Sequence, residues 1–157
     1  MESGAGGGYP QTGMECVYLT CFQSEFSILA LVLQYSGIRM HRADTLEEAD
    51  FLLTVTGSTV LLSDVAFLDG SWRDALRMAE DAHPLVASSI VADPADLPFL
   101  ADAYDRGACG TLLKPLDSGR AIQLIRVLHE AVGDRTSVLR DDSLETALPG
   151  RPSAHCR

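Results

Sequence analysis

Basic residues are scarce in this chain. Its 157 residues hold 12 Lys and Arg against 22 Asp and Glu, a formal net charge of −10. A phosphate-binding surface needs clustered Lys and Arg, so the balance argues against a nucleic-acid partner. Cysteine is also sparse: Cys16, Cys21, Cys109 and Cys156. None forms a Cys-x-x-Cys pair and no Cys/His cluster has zinc-like spacing, so reduced thiols are expected. The histidines, His41, His83, His129 and His155, are dispersed and share no ligand set. No apolar stretch approaches the ~20 residues that span a bilayer, which excludes a spanning helix. Met1-Glu2-Ser3-Gly4 lacks the basic region and apolar run of a secretory signal. The expected location is cytoplasmic, with no membrane partner.

What is present is ordinary globular composition, 46% hydrophobic and 22% charged. The length suits one domain plus ends and can bury a core without disulfides or metal. Residues 1–13 are Gly-rich and read as a disordered leader. Residues 14–133 read as the domain and 134–157 as a polar tail.

Within the domain, strand-length apolar runs alternate with helical patterns five times. The first run is Cys16 to Phe22. Ser24 then reads as an N-cap, with Phe26, Leu29, Ala30 and Leu33 at helical spacing and Gly37 as the stop. Ile28, Leu31 and Val32 widen that apolar stripe, so the first helix is expected to be heavily buried. Short strands at Arg39–Ala43, Thr59–Ser63, Leu85–Ser89 (or on to Val91) and Cys109–Leu113 follow. Helices are expected after Thr45, from Trp72 to Asp81, from Asp93 to Asp105, and from Asp117 to Val132. Trp72 is expected to be partly buried. Ala121, Leu124, Ile125 and Leu128 give the strongest amphipathic signal. This alternation implies βαβ units and an α/β fold, a doubly wound five-stranded parallel sheet with helices on both faces.

Open sheets of this kind bind ligands beyond the carboxyl ends of their strands. Those ends carry Thr20 and Cys21, then Asp64, then Ser88 and Ser89, then Lys114. A carboxylate, a hydroxyl and an ammonium on neighbouring strands suit phosphoryl chemistry: acceptor, donor to a phosphoryl oxygen, and neutralising charge. A structural Lys114–Asp64 salt bridge explains the same residues without a ligand. Cys21 near Lys114 would be either an activated thiol or a small buried hydrophobe.

The stretch 16–132 resembles a response-regulator receiver domain, CheY-like with flavodoxin-like strand order. The carriers are Val60-Leu61-Leu62-Ser63-Asp64, Asp69-Gly70, Pro84-Leu85-Val86-Ala87-Ser88-Ser89, and Arg106-Gly107-Ala108-Cys109-Gly110-Thr111-Leu112-Leu113-Lys114-Pro115. By resemblance Asp64 is the phosphoacceptor position, Ser89 the switch hydroxyl and Lys114 the phosphate-sensing lysine, with Lys114-Pro115 expected cis.

The departures are equally specific. Where the family carries an acidic pair that holds a divalent cation, this chain has Thr20 and Cys21, neither an anionic oxygen ligand. Asp64 alone would hold Mg²⁺ weakly, and Glu25 would sit in the first helical turn. No other cofactor is expected. Loss of the metal should slow phosphoryl transfer. Ile90 follows the switch hydroxyl in place of a small residue, Thr111 replaces the usual aromatic, and the proline after the phosphoacceptor is missing.

The resemblance thus implies a stand-alone signal-transduction module of two-component type that is not an enzyme. It would act through protein–protein interaction, with phosphorylation at Asp64 weak or absent. The alternative is a phosphorelay receiver that takes phosphate on Asp64 from a histidine kinase. A flavin-binding flavodoxin-like protein is a third reading, but Gln23-Ser24 offers no glycine-rich phosphate cradle. Partners would be a histidine kinase, a phosphotransfer protein or an effector. Homodimerisation is expected through the fourth helix, fifth strand and fifth helix.

Overall fold

The computed structural model describes residues 13–142, with side chains to residue 134. The expected leader, apart from Gly13, and the end of the tail lie outside the described residues. Five strands form the main sheet: β1 Met14–Leu19, β2 Ile38–Ala43, β3 Val60–Asp64, β4 Ala87–Ala92 and β5 Gly110–Leu113. All neighbouring pairs are parallel and the order is β2-β1-β3-β4-β5. This is the flavodoxin-like order, and the strand order reverses between β1 and β3.

The central strands are apolar on both faces because helices cover both. In β1, Cys16 and Tyr18 enter one core while Val17 and Leu19 enter the other. In β3, Val60 and Leu62 join the first core and Leu61 the second. The first core is closed by Leu29 and Leu33 of α1 (Gln23–Gln34) and by Ala121, Ile125 and Leu128 of α5 (Ser118–Asp142). The second is closed by Ala49 and Leu53 of α2 (Leu46–Thr56) and by Ala75 and Ala79 of α3 (Trp72–Ala82).

Local chemistry sets the element ends. The Thr45 hydroxyl accepts from the Glu48 amide to start α2, and Gly57 stops it in the left-handed region at φ 68°. Ser71 and Asp74 form a capping box on α3. A two-residue ribbon, Ala66–Phe67 with Gly70–Ser71, occupies the loop after Asp64. Trp72 is buried rather than partly buried and stacks on Phe99 with centroids 5.5 Å apart.

Other expectations change as well, and the first strand is Met14–Leu19 rather than Cys16 to Phe22. The single helix expected from Asp93 to Asp105 is a 3₁₀ segment, Pro94–Phe99, followed by a short α4, Leu100–Asp105. Pro98 has no amide hydrogen to donate and its ring disfavours a regular α turn. β4 starts at Ala87 rather than Leu85 and runs to Ala92, one residue past the longer of the two expected ends. α5 continues to Asp142, past the composition change at Asp134. Finally, α1 is not heavily buried: Ile28, Leu31 and Val32 face outward, and only Leu29 and Leu33 are buried. Among the described residues no helix is long and apolar enough to cross a membrane.

Candidate functional site

Asp64 ends β3, and its register places it at the carboxyl edge where the order reverses. Leu19 pairs with Ser63, which sets Thr20 beside Asp64. The carboxylate is buried, and each of its oxygens accepts a hydrogen bond. Tyr18 donates its phenolic O–H to Oδ1 at 2.7 Å, and Thr20 donates its hydroxyl to Oδ2 at 2.5 Å. The Thr20 oxygen in turn accepts the Phe22 amide at 3.0 Å. A chain of donors therefore runs from the first turn of backbone after β1 into the carboxylate.

Lys114, the chain's only lysine, follows β5 across a cis Lys114–Pro115 bond, as expected. Its amide donates to the Ala92 carbonyl at 2.9 Å. Its Nζ lies 3.8 Å from Asp64 Oδ1 and 3.4 Å from Glu25 Oε1, and sits 4.6 Å over the Phe22 ring. The ammonium is thus shared between two carboxylates, with an aromatic face as a third partner.

Burial drives the ionisation. Loss of water pushes the Asp64 carboxyl above the ordinary carboxylate range, and Glu25 adds to this. The Thr20 and Tyr18 hydrogen bonds and the Lys114 charge oppose it. The Tyr18 phenol is raised by burial first and by the neighbouring Asp64 charge second.

Of the residues singled out in the sequence, Asp64, Lys114 and Thr20 come together. Ser89 does not join them. It pairs in register with Leu62 and Gly110, two residues short of the Asp64 level, where Val91 stands instead. Its hydroxyl is fully buried on the Gly110 side, within reach of a site bordered by Leu124, and has no hydrogen-bond partner among the described residues. The reason is the length of β4: the strand continues apolar through Ile90 and Val91, so residue 89 falls inside it. Cys21 is exposed rather than packed. Cys16 is also a free thiol, buried and raised in pKa by that burial. Cys109 is disulfide-bonded, against the reduced-thiol expectation. Thr111 accepts or donates a hydrogen bond with the Tyr104 hydroxyl at 2.9 Å, so a phenol from α4 stands beside it.

Sequence reasoning missed Tyr18. The signal was available: residues 18 and 20 share one face of a strand by the two-residue period, and Thr20 already pointed at the site.

The donor set does not suit Mg²⁺. Thr20 spends its hydroxyl on Asp64, Cys21 is a soft thiol, and Glu25 pairs with Lys114. Among the described residues no group of three or more His, Cys, Asp or Glu is arranged to hold a metal ion.

No family model and no curated protein matches the sequence. Solved structures match the fold. NtrX from Brucella abortus in complex with ATP aligns at TM-score 0.76 and 15% identity, over 89% of this chain and 31% of that one. The adenylate cyclase from Rhodopirellula baltica aligns at TM-score 0.74 and 14% identity, over 87% of this chain and all of that one. A response regulator receiver domain protein from Clostridium thermocellum aligns at TM-score 0.69 and 20% identity, over 80% of this chain and 98% of that one. The chain therefore has the CheY-like receiver fold.

Proposed function

We propose that this chain is a receiver-type signalling module that works by binding a protein partner, with phosphorylation at Asp64 weak or absent. The observation that carries the reading is the double capping of the carboxylate. A nucleophilic Asp needs a free lone pair facing the phosphoryl donor and a cation to offset the added charge. Here Oδ1 accepts from Tyr18, Oδ2 accepts from Thr20, and the position that would supply metal-binding acids supplies a hydroxyl donor instead. Each oxygen keeps a second lone pair, but both are drawn on by short hydrogen bonds inside a buried site, which lowers their nucleophilicity. The module is read as a non-enzyme because the acid, the hydroxyl and the ammonium gathered here are spent on one another.

One observation favours the alternative, a phosphorelay receiver fed by a histidine kinase. Lys114 stands 3.8 Å from Asp64 Oδ1, where it could neutralise charge on an acyl phosphate. The test treats the purified chain and Asp64→Asn with acetyl phosphate or BeF₃⁻ over a Mg²⁺ titration, followed by backbone NMR and intact mass. The proposal expects no saturable, Asp64-dependent change. A stoichiometric Asp64-dependent adduct at millimolar Mg²⁺ would establish the phosphorelay reading instead.

A further inference from the structure

The first helix carries an apolar stripe that the fold leaves uncovered. Ile28, Leu31, Val32 and Tyr35 repeat as i, i+3, i+4, i+7 and project outward, with exposures of 69%, 58%, 37% and 87%. This is the spacing of a helix–helix seam, and it is turned away from the Leu29/Leu33 face that packs on the sheet. Contiguous exposed apolar surface of this kind marks an interaction site more often than it marks ordinary surface.

Two further features say what fits there. Beside the stripe, a groove of about 1090 Å³ runs between α1 and the edge strand β2, lined by Phe26, Ala30, Leu31 and Met40 among others. One patch thus holds both projecting side chains and a recess, as a surface that packs on itself requires. Charge complementarity adds to this: Glu25 lies 3.4 Å from Lys114 yet is 45% exposed, and Arg39 lies 3.7 Å from Glu15 yet is 75% exposed, so both still face solvent. α1 has one charged residue, Glu25, near its start. At its other end stand Arg39, largely exposed, and Arg126, whose Nη2 donates to the Ser36 carbonyl at 3.2 Å. A copy laid antiparallel brings the acidic end of each helix to the basic end of the other and opposes the two helix dipoles favourably. The chain has a net charge of −10, and α1 contributes only one of its charged residues.

We infer that the chain forms a two-fold homodimer through antiparallel α1 helices, with the axis passing between Leu31 and Val32. Ile28 of each copy then meets Tyr35 of the other, and Leu31 meets Val32. This interface is distinct from the α4–β5–α5 face and does not depend on whether Asp64 is phosphorylated.

Sedimentation velocity of the full chain, run across a concentration series without phosphodonor, reads the outcome. The wild type is expected to show a monomer–dimer equilibrium. Leu31→Glu and Val32→Glu are each expected to raise the dimer Kd by about tenfold or more, the effect of losing one buried apolar contact at an interface centre. Leu113→Glu, on the α4–β5–α5 face, should leave it unchanged. These side chains are exposed in the monomer, and far-UV circular dichroism with a urea midpoint verifies that each variant folds. A photocrosslinking amino acid at position 35 should capture α1 of a second copy, identified by peptide mass. A monomer at every concentration, a dimer weakened by Leu113→Glu but not by Leu31→Glu, or a crosslink formed within one chain would each overturn the inference.

Discussion

The Thr20 hydroxyl stands 2.5 Å from Oδ2 of Asp64 while accepting the Phe22 amide at 3.0 Å. The strand-end position beside Asp64 is thus held by a hydrogen-bond donor. A hydroxyl and an acid at that position would do opposite electrostatic work. An acid there would need a cation to relieve its repulsion with Asp64, whereas a hydroxyl satisfies the carboxylate directly. With Tyr18 on the other oxygen and Lys114 nearby, the buried charge is stabilised from within the chain.

Tyr18→Phe should therefore destabilise the fold. It deletes one hydrogen bond to a buried charged group and leaves the ring in place. Hydrogen bonds to charged groups contribute about 1.5–3 kcal/mol, and urea denaturation at neutral pH should show a loss of that order. An unchanged midpoint would mean that Oδ1 does not depend on the phenol.

The pH dependence follows from the raised Asp64 pKa. The folded state holds a proton on this carboxyl more readily than the unfolded chain, whose Asp titrates at about 3.9. Acidification thus favours the folded state through this group. Its contribution is fully present below about pH 4 and is lost as pH rises through the folded-state value. The stability of the wild type minus that of Asp64→Asn should fall as pH rises above 4. The subtraction cancels the other carboxylates. A difference that is flat, or that grows with pH, would show that the three donors outweigh burial.

The periodicity made most of the architecture legible. Five apolar runs separated by helical spacing gave the five parallel strands, and the Lys-Pro run located the end of β5. Asp64, Lys114 and Thr20 were legible as neighbours because strand ends converge at the edge of a doubly wound sheet. Two things were not legible. The end of β4 depends on whether Ile90 and Val91 pair, and an apolar run alone does not say where pairing stops. The outward stripe of α1 is just as apolar as the inward one, so hydrophobicity could not tell which of Ile28, Leu29, Leu31, Val32 and Leu33 the sheet would cover.

Lys114→Met should cost more than Glu25→Gln, although both break the same ion pair. Removing the ammonium leaves the buried Asp64 with one charged partner fewer, and breaking a buried pair in this way is strongly destabilising, by about 3 kcal/mol or more. Glu25 is half exposed, and exposed pairs contribute about 0–1 kcal/mol. Guanidinium denaturation of the two variants gives the ranking. Equal losses would place the weight of Lys114 on Glu25 rather than on Asp64.

Ser89→Ala separates the resemblance from the geometry most sharply. If residue 89 acted as the switch hydroxyl, its removal would matter for signalling and would leave stability nearly untouched. The structure instead buries that hydroxyl inside β4 without a partner among the described residues. An unsatisfied buried polar group costs about 1–3 kcal/mol, and alanine keeps the backbone and the Cβ while removing it. The void left by one oxygen is small, although Gly110 and Leu124 border it and close packing resists even small voids. The hydroxyl term is the larger of the two, so Ser89→Ala should raise the urea midpoint, by about 0.5–2 kcal/mol in stability. A loss of stability would reveal a bonded water or another partner for the hydroxyl. Val91, which stands level with Asp64, is the residue to convert to Thr if a hydroxyl is to be brought to the carboxylate from β4.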